Sequence, residues 1–183
     1  MRLTLSLLVL SVFLFPRAAR ADASTGAPSC PAKGASAPAF SFPLARGGRT
    51  SLHDLLAKHR PVVVSFWSTT CGPCKVELPQ LDKLSREWGE KVSVVTVHVG
   101  AASREHDDLD TTSAEVLAFF DAQQIGLPAA IDSNAKVSKE HWCVSGLPRL
   151  FVLDEEGRVA ADLQTAQTDF ESSLRAVVAP LLR

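Results

Sequence analysis

Hydrophobic and polar positions alternate along this chain with two different periods, and the changes of period mark its elements. Phe40 and Phe42 flank Ser41, and an Arg46-Gly47-Gly48 turn leads to Thr50, which predicts a small β-hairpin. Ser51 can cap a short helix carrying Leu52, Leu55 and Leu56, which Pro61 ends near His59 and Arg60. Val62 to Trp67 is a nearly unbroken apolar run rich in β-branched residues, the pattern of a strand covered on both faces. Val76, Leu78, Leu81, Leu84 and Trp88 then recur at helical spacing, and a second β-branched run from Val92 to Val99 follows Gly89. Together these predict a βαβ unit.

The rest of the chain is patterned less evenly. Residues 101–112 are polar and read as a loop, and Val116, Leu117, Phe119 and Phe120 mark an amphipathic helix that should stop before Gly126. A short apolar stretch at Ala129–Ile131 precedes Asp132 and a modest helix that includes Val137 and Trp142. Leu150–Leu153 and Arg158–Leu163 face each other across an Asp154–Gly157 turn, a hairpin signal. Thr168 and Glu171 match a capping box opening a C-terminal helix through Leu174, Val177 and Val178. The order of elements implies an α/β fold with a mixed central sheet between helices.

The ends of the chain change this picture. Arg2, an apolar run from Leu3 to Phe15 and small residues around Ala19 and Ala21 read as a secretory signal peptide over residues 1–21. The apolar run, about 13 residues, is shorter than the roughly 20 a membrane span needs, so no stable span is expected after cleavage. Residues 22–38, rich in Ala, Ser, Gly and Pro, read as a flexible linker or arm, which leaves 39–183 as one domain. Cleavage would leave 16 Lys and Arg against 20 acids, a net charge near −4. With no basic block, nucleic acid is not an expected partner.

Export makes the four cysteines legible, because oxidising compartments permit stable disulfides. Cys71 and Cys74 form a local C-x-x-C in the run TCGPC, which leaves Cys30 and Cys143 as a potential second pair. Cys71 falls where the strand gives way to the helix, so unpaired N–H groups and the positive helix end face its sulfur and favour a nucleophilic thiolate. Cys74, one turn deeper, is placed to resolve a mixed disulfide formed on Cys71. Gly72 and Pro73 keep the turn tight, and Pro73 sits where a helix leaves its N–H groups unpaired anyway. A zinc site would need further ligands at similar spacing, and the sequence has no second C-x-x-C. Glu77, on the same helix face as Cys74, reads equally well as an ordinary surface acid or as a proton-handling group.

The segment FWSTTCGPCKVELPQL resembles the active-site region of thioredoxins and is most similar to the TlpA/ResA-like exported branch, over most of residues 36–182. Pro79, the stretch VSGLPRLFVLDEEG and the N-terminal hairpin carry the resemblance further. It implies a thioredoxin-like fold and thiol-disulfide oxidoreductase activity without a cofactor or metal. Pro148 would be a cis-proline facing the cysteines, the Leu147 backbone would pair with an extended substrate, and Glu77 would occupy the family's C-x-x-C-x-x-E position. Trp67, beside the site, and Arg149, which follows the cis-proline and would favour a thiolate, complete the expected substrate-binding set. The resemblance further implies a periplasmic monomer whose partners are cysteine-containing exported proteins, an apocytochrome c among them, and an upstream thiol-disulfide electron donor. The Gly-Pro dipeptide resembles reducing members.

The same residues admit other readings. Some members of that family bond the equivalents of Cys30 and Cys143; lipidation of Cys30 and two free thiols are the rivals. Thr70 stands where the family usually has tryptophan, and Ser65 where thioredoxin keeps a buried acid. A copper-binding module could use Cys71 and Cys74, since soft thiolates select Cu(I), but no Met or His cluster accompanies them. A peroxidase motif would need a proline where Val64 stands. His98, His106 and His141 lack metal-ligand spacing and read as solvated or strand-end residues, and HDDLD as a solvated loop.

Overall fold

Strand β3, Val62–Trp67, is the axis of the structure, a computed structural model that describes residues 30–100, 109–164 and 169–182. Five strands run in the order β5-β4-β3-β6-β7: β4 (Ser93–Val99), β5 (Ala129–Asp132), β6 (Arg149–Leu153) and β7 (Val159–Gln164). β3 and β4 are parallel, as are β4 and β5, whereas β6 runs antiparallel to both β3 and β7, so the sheet is mixed. A separate hairpin, β1 (Ser41–Pro43) with β2 (Arg49–Ser51), precedes the short helix α1 (Leu52–Leu56). Ser51 caps α1 by accepting the Asp54 N–H at 3.1 Å. The remaining helices are α2 (Gly72–Trp88), α3 (Leu109–Ala122) and α4 (Phe170–Val178).

The two-residue period of β3 divides the core. Val63 and Trp67 point into one cluster with Leu78, Leu81 and Leu84 of α2, Phe120 of α3 and Leu174 of α4. Val62, Val64 and Phe66 point the other way, against Phe42 of the hairpin, Leu55 of α1, Trp142 and Phe151. The aromatic rings of Phe66, Trp142 and Phe151 meet at centroid distances of 5.0–6.0 Å. A strand sealed on both faces gives the chain that leaves its C-terminal end a fixed origin.

Several expectations change on contact with the structure. Ala129–Ile131 forms the strand β5, since pairing with β4 satisfies its backbone where the local pattern was too short to decide. The stretch after it is a single π-helical turn, Val137–His141, rather than a regular helix. Val76 is 63% exposed despite its helical spacing, because it lies on the solvent side of the first turn of α2. α3 already begins at Leu109, so only part of the polar 101–112 segment precedes it. α4 opens at Phe170 after Asp169, without a side-chain cap bond; Thr168 of the expected capping box lies outside the described residues, as do the expected leader and residues 22–29. No helix among the described residues is long and apolar enough to cross a membrane.

The second half of the expected arm is pinned down rather than loose. Gly34 N–H donates to the Val159 carbonyl at 2.8 Å, Ala37 N–H to that of Gly157 at 2.9 Å, and Ser36 bridges Arg158. Cys30 and Cys143 are joined by a disulfide closing 113 residues of sequence. Chain-entropy reasoning assigns a loop of that length about 4–5 kcal/mol of stabilisation, before any native-state cost. The double variant Cys30→Ser/Cys143→Ser is therefore expected to lose up to that much unfolding free energy and to unfold at clearly lower urea concentration; an unchanged midpoint would show that the backbone bonds of residues 34–37 hold the arm alone.

Candidate active site

The chain leaves β3 at Trp67, turns through Ser68–Thr70 and enters α2, and the turn is closed by the Cys71 N–H donating to the Ser68 carbonyl at 3.1 Å. Cys71 is the N-cap of α2, with extended backbone, and its Sγ accepts the Cys74 N–H at 3.2 Å. A sulfur in that position receives both an orphan amide and the positive end of a 17-residue helix. Pro73, in the first turn, removes no bond the helix would have made. Cys71 and Cys74 are joined by a disulfide, the oxidised state of the pair. Their exposure differs sharply: Cys71 is partly accessible, Gly72 and Pro73 are exposed, and Cys74 is 1% exposed. An incoming sulfur can meet Cys71 only.

The other expected residues separate into those that gather here and those that do not. The Leu147–Pro148 bond is cis, and Leu147 is partly buried and, like Cys71, packs against the helix-side core. Glu77 is buried at 8% exposure, one turn after Cys74, so it is not an ordinary surface acid. Trp67, by contrast, does not face a substrate: it is wholly buried, stacked on Phe120 at 5.3 Å and tilted against Phe119 at 5.5 Å, because the inward phase of β3 carries it under α3. Arg149 is directed elsewhere as well. Its guanidinium forms a two-pronged bond to Asp162 at 2.7 and 2.6 Å across the β6–β7 pair and lies 5.5 Å from the Phe151 ring. That matched charge is spent on a carboxylate rather than on the Cys71 sulfur. Among the described residues no group of three or more His, Cys, Asp or Glu is arranged to hold a metal ion.

Two features escaped the sequence. A groove of about 540 Å³ opens beside the disulfide, walled by Ser68–Thr70, by His98–Gly100 at the end of β4, by Thr112 and Glu115 of α3, by Lys139, and by Val144–Leu147. Its wall residues come from segments far apart in the chain, so no local pattern signals it. His98, expected to be solvated or to sit at a strand end, is near the end of β4 but only 5% exposed. Parallel pairing sets it opposite Trp67, whose ring it meets edge-on at 5.2 Å, and its Nε2 accepts the Thr69 N–H at 3.3 Å.

A C-x-x-C entering a helix from the central strand of a mixed sheet, with a cis X-Pro beside it, defines the thioredoxin-like class. The chain belongs to the AhpC/TSA family, whose pattern matches residues 33–162. Its relatives include thiol-disulfide oxidoreductases and a thioredoxin-like protein. It is 34% identical to the thioredoxin-like protein YneN of Bacillus subtilis over 125 residues, 68% of this chain and 67% of that protein. It is 29% identical over 136 residues to the thiol-disulfide oxidoreductase ResA of Bacillus thuringiensis subsp. konkukian, 74% of this chain and 71% of that one. Among solved structures, a thiol:disulfide interchange protein of the thioredoxin family from Chlorobium tepidum superposes with a TM-score of 0.65 at 22% identity, covering 83% of this chain and 99% of that one, a likeness of fold.

The asymmetry of exposure gives a direct test. In the reduced protein at neutral pH, a thiol-alkylating reagent is expected to modify Cys71 at least tenfold faster than Cys74, read by mass spectrometry of the peptides. Equal rates would mean that the helix does not bury the second sulfur in solution.

Proposed function

We propose that this protein is an exported reductant that passes two electrons to cysteine-bearing exported proteins through Cys71 and Cys74. The observation that carries the reading is an accessible sulfur on the N-terminus of α2 with a second sulfur buried one turn behind it. In the first step the Cys71 thiolate attacks a substrate disulfide, forming a mixed disulfide and releasing one substrate thiolate. In the second, Cys74 loses its proton and attacks the Cys71 sulfur, which releases the other substrate thiolate and leaves the Cys71–Cys74 disulfide. Both electrons have then moved to the substrate, and an upstream dithiol protein restores the reduced pair by the reverse exchange.

Glu77 takes the Cys74 proton, a role that fits a buried carboxyl one turn along the same helix. The substrate lies extended against the Leu147 backbone ahead of Pro148, over the exposed Gly72-Pro73 turn, with main-chain bonds supplying affinity. Export is supported by the leader pattern of residues 1–21 and by a second, long-range disulfide, which an oxidising compartment would preserve. Within that compartment an apocytochrome c is the substrate class suggested by the resemblance to the TlpA/ResA-like branch.

The wild-type protein is expected to accelerate insulin reduction by dithiothreitol, and Cys71→Ser to abolish the acceleration; equal activity in both would remove Cys71 from the mechanism. A reduction potential at or below about −250 mV marks a reductant. A value near about −120 mV would reverse the direction. Glu77→Gln is expected to slow release of the mixed disulfide about tenfold or more while leaving its formation unchanged.

A further inference from the structure

The residue that the proposed exchange leaves unused is His98, a buried, titratable side chain in contact with the segment that delivers Cys71. Three observations converge on it. The Ser68–Cys71 turn is closed on one side by its own backbone bond, Cys71 N–H to the Ser68 carbonyl, and the Ser68 and Thr70 hydroxyls lie 3.1 Å apart across it. The Thr69 N–H points away from that turn and is accepted at 3.3 Å by the imidazole Nε2 of His98, which comes from the neighbouring strand. The ring borders the groove on one side and is held on the other by edge-on packing against the buried Trp67 at 5.2 Å, leaving it 5% exposed.

From this geometry we infer that His98 is a positioning residue for the reactive cysteine: by holding the Thr69 N–H it fixes the turn that sets the Cys71 sulfur on the N-terminus of α2. The inference rests on the reading of Cys71 and Cys74 as the working pair.

Helix-end stabilisation falls steeply with distance. The benefit to a thiolate is confined to the first turn of a helix, so a cap that can drift loses it. Cys71 is joined to the rigid β3 through three residues, two of them Thr and one Ser, none of which reaches the hydrophobic core as a large apolar side chain would. Without an anchor, that link would sample positions in which Sγ no longer meets the Cys74 N–H. His98 supplies the anchor from a strand whose register with β3 is fixed by six paired positions, so the imidazole has a defined place beside the turn. To accept the Thr69 N–H, Nε2 must present its lone pair rather than a proton.

The test compares His98→Leu, which fills similar space and cannot accept, with His98→Gln, whose Oε1 can take the place of Nε2. Three readings are made on the full chain: the rate of Cys71 alkylation in the reduced protein at pH 7, the position of the Cys71–Cys74 equilibrium with glutathione, and hydrogen exchange at the Thr69 amide. Losing one hydrogen bond's worth of positioning is expected to slow alkylation about fivefold in His98→Leu and to shift the glutathione equilibrium toward the disulfide by a similar factor. His98→Gln is expected to restore both to within about twofold of wild type. Exchange at the Thr69 amide supplies a reading that needs no variant, and it is expected to be slow in the wild-type protein. Leu and Gln variants that are indistinguishable from wild type, a Gln variant as impaired as Leu, or a rapidly exchanging Thr69 amide would each overturn the inference. If instead wild type fails to equilibrate with glutathione at all, the proposed redox function fails, and these readings tell the two failures apart.

Discussion

An amide N–H at the start of α2 meets the sulfur of Cys71, and much of the remaining structure serves to keep that meeting fixed. Helix ends carry unpaired donors and a partial positive charge, but their effect reaches only a few ångströms. A sulfur held there is stabilised as an anion and so becomes both a nucleophile and a good leaving group; a sulfur displaced by one turn is an ordinary thiol. The sealed strand β3 supplies the fixed origin, the buried face of α2 fixes the helix, and the short Ser68–Thr70 turn spans the gap between them. The same helix explains the second cysteine. One turn further in, Cys74 is buried with Leu78 and Leu81, so the two sulfurs have different access to solvent although they are three residues apart.

The fold was legible where a single segment contains its own evidence. The run Val62–Trp67, with six consecutive apolar or small residues ahead of a C-x-x-C, has few other solutions than a central strand, and the helical recurrence of Leu78, Leu81 and Leu84 leaves little choice for α2. The hairpin at Phe40–Thr50 and the β6–β7 pair carried their turn residues with them. Where the deciding partner lies elsewhere in the chain, the pattern fell short. Ala129–Ile131 becomes a strand because β4 offers an edge, and residues 34–37 are held by acceptors and donors of Gly157 and Val159, with the Cys30–Cys143 disulfide just before them.

The candidate site follows the same division. The placement of Cys71 and Cys74 at a strand-to-helix junction is a local property of the sequence. Those expected neighbours whose roles depend on side-chain direction were harder to place: Trp67 turns inward under α3, and Arg149 finds Asp162 across the sheet, a partner 13 residues away that no motif advertises. His98 was missed for a related reason. A lone histidine at the end of a strand carries no signal of its own; its importance comes from the parallel register that sets it opposite Trp67 and beneath Thr69. Membership of the AhpC/TSA family bears on the fold and on the cysteine pair, whereas the places of Ser65, Thr70 and His98 follow from the packing of this chain.

The central claim is that the N-terminus of α2 makes Cys71 acidic. Its most direct test is the ionisation of Cys71 in the reduced Cys74→Ser protein, followed by thiolate ultraviolet absorbance across pH. The account requires an apparent pKa at least one unit below the ordinary cysteine value of about 8.5. A midpoint at or above that value would contradict it.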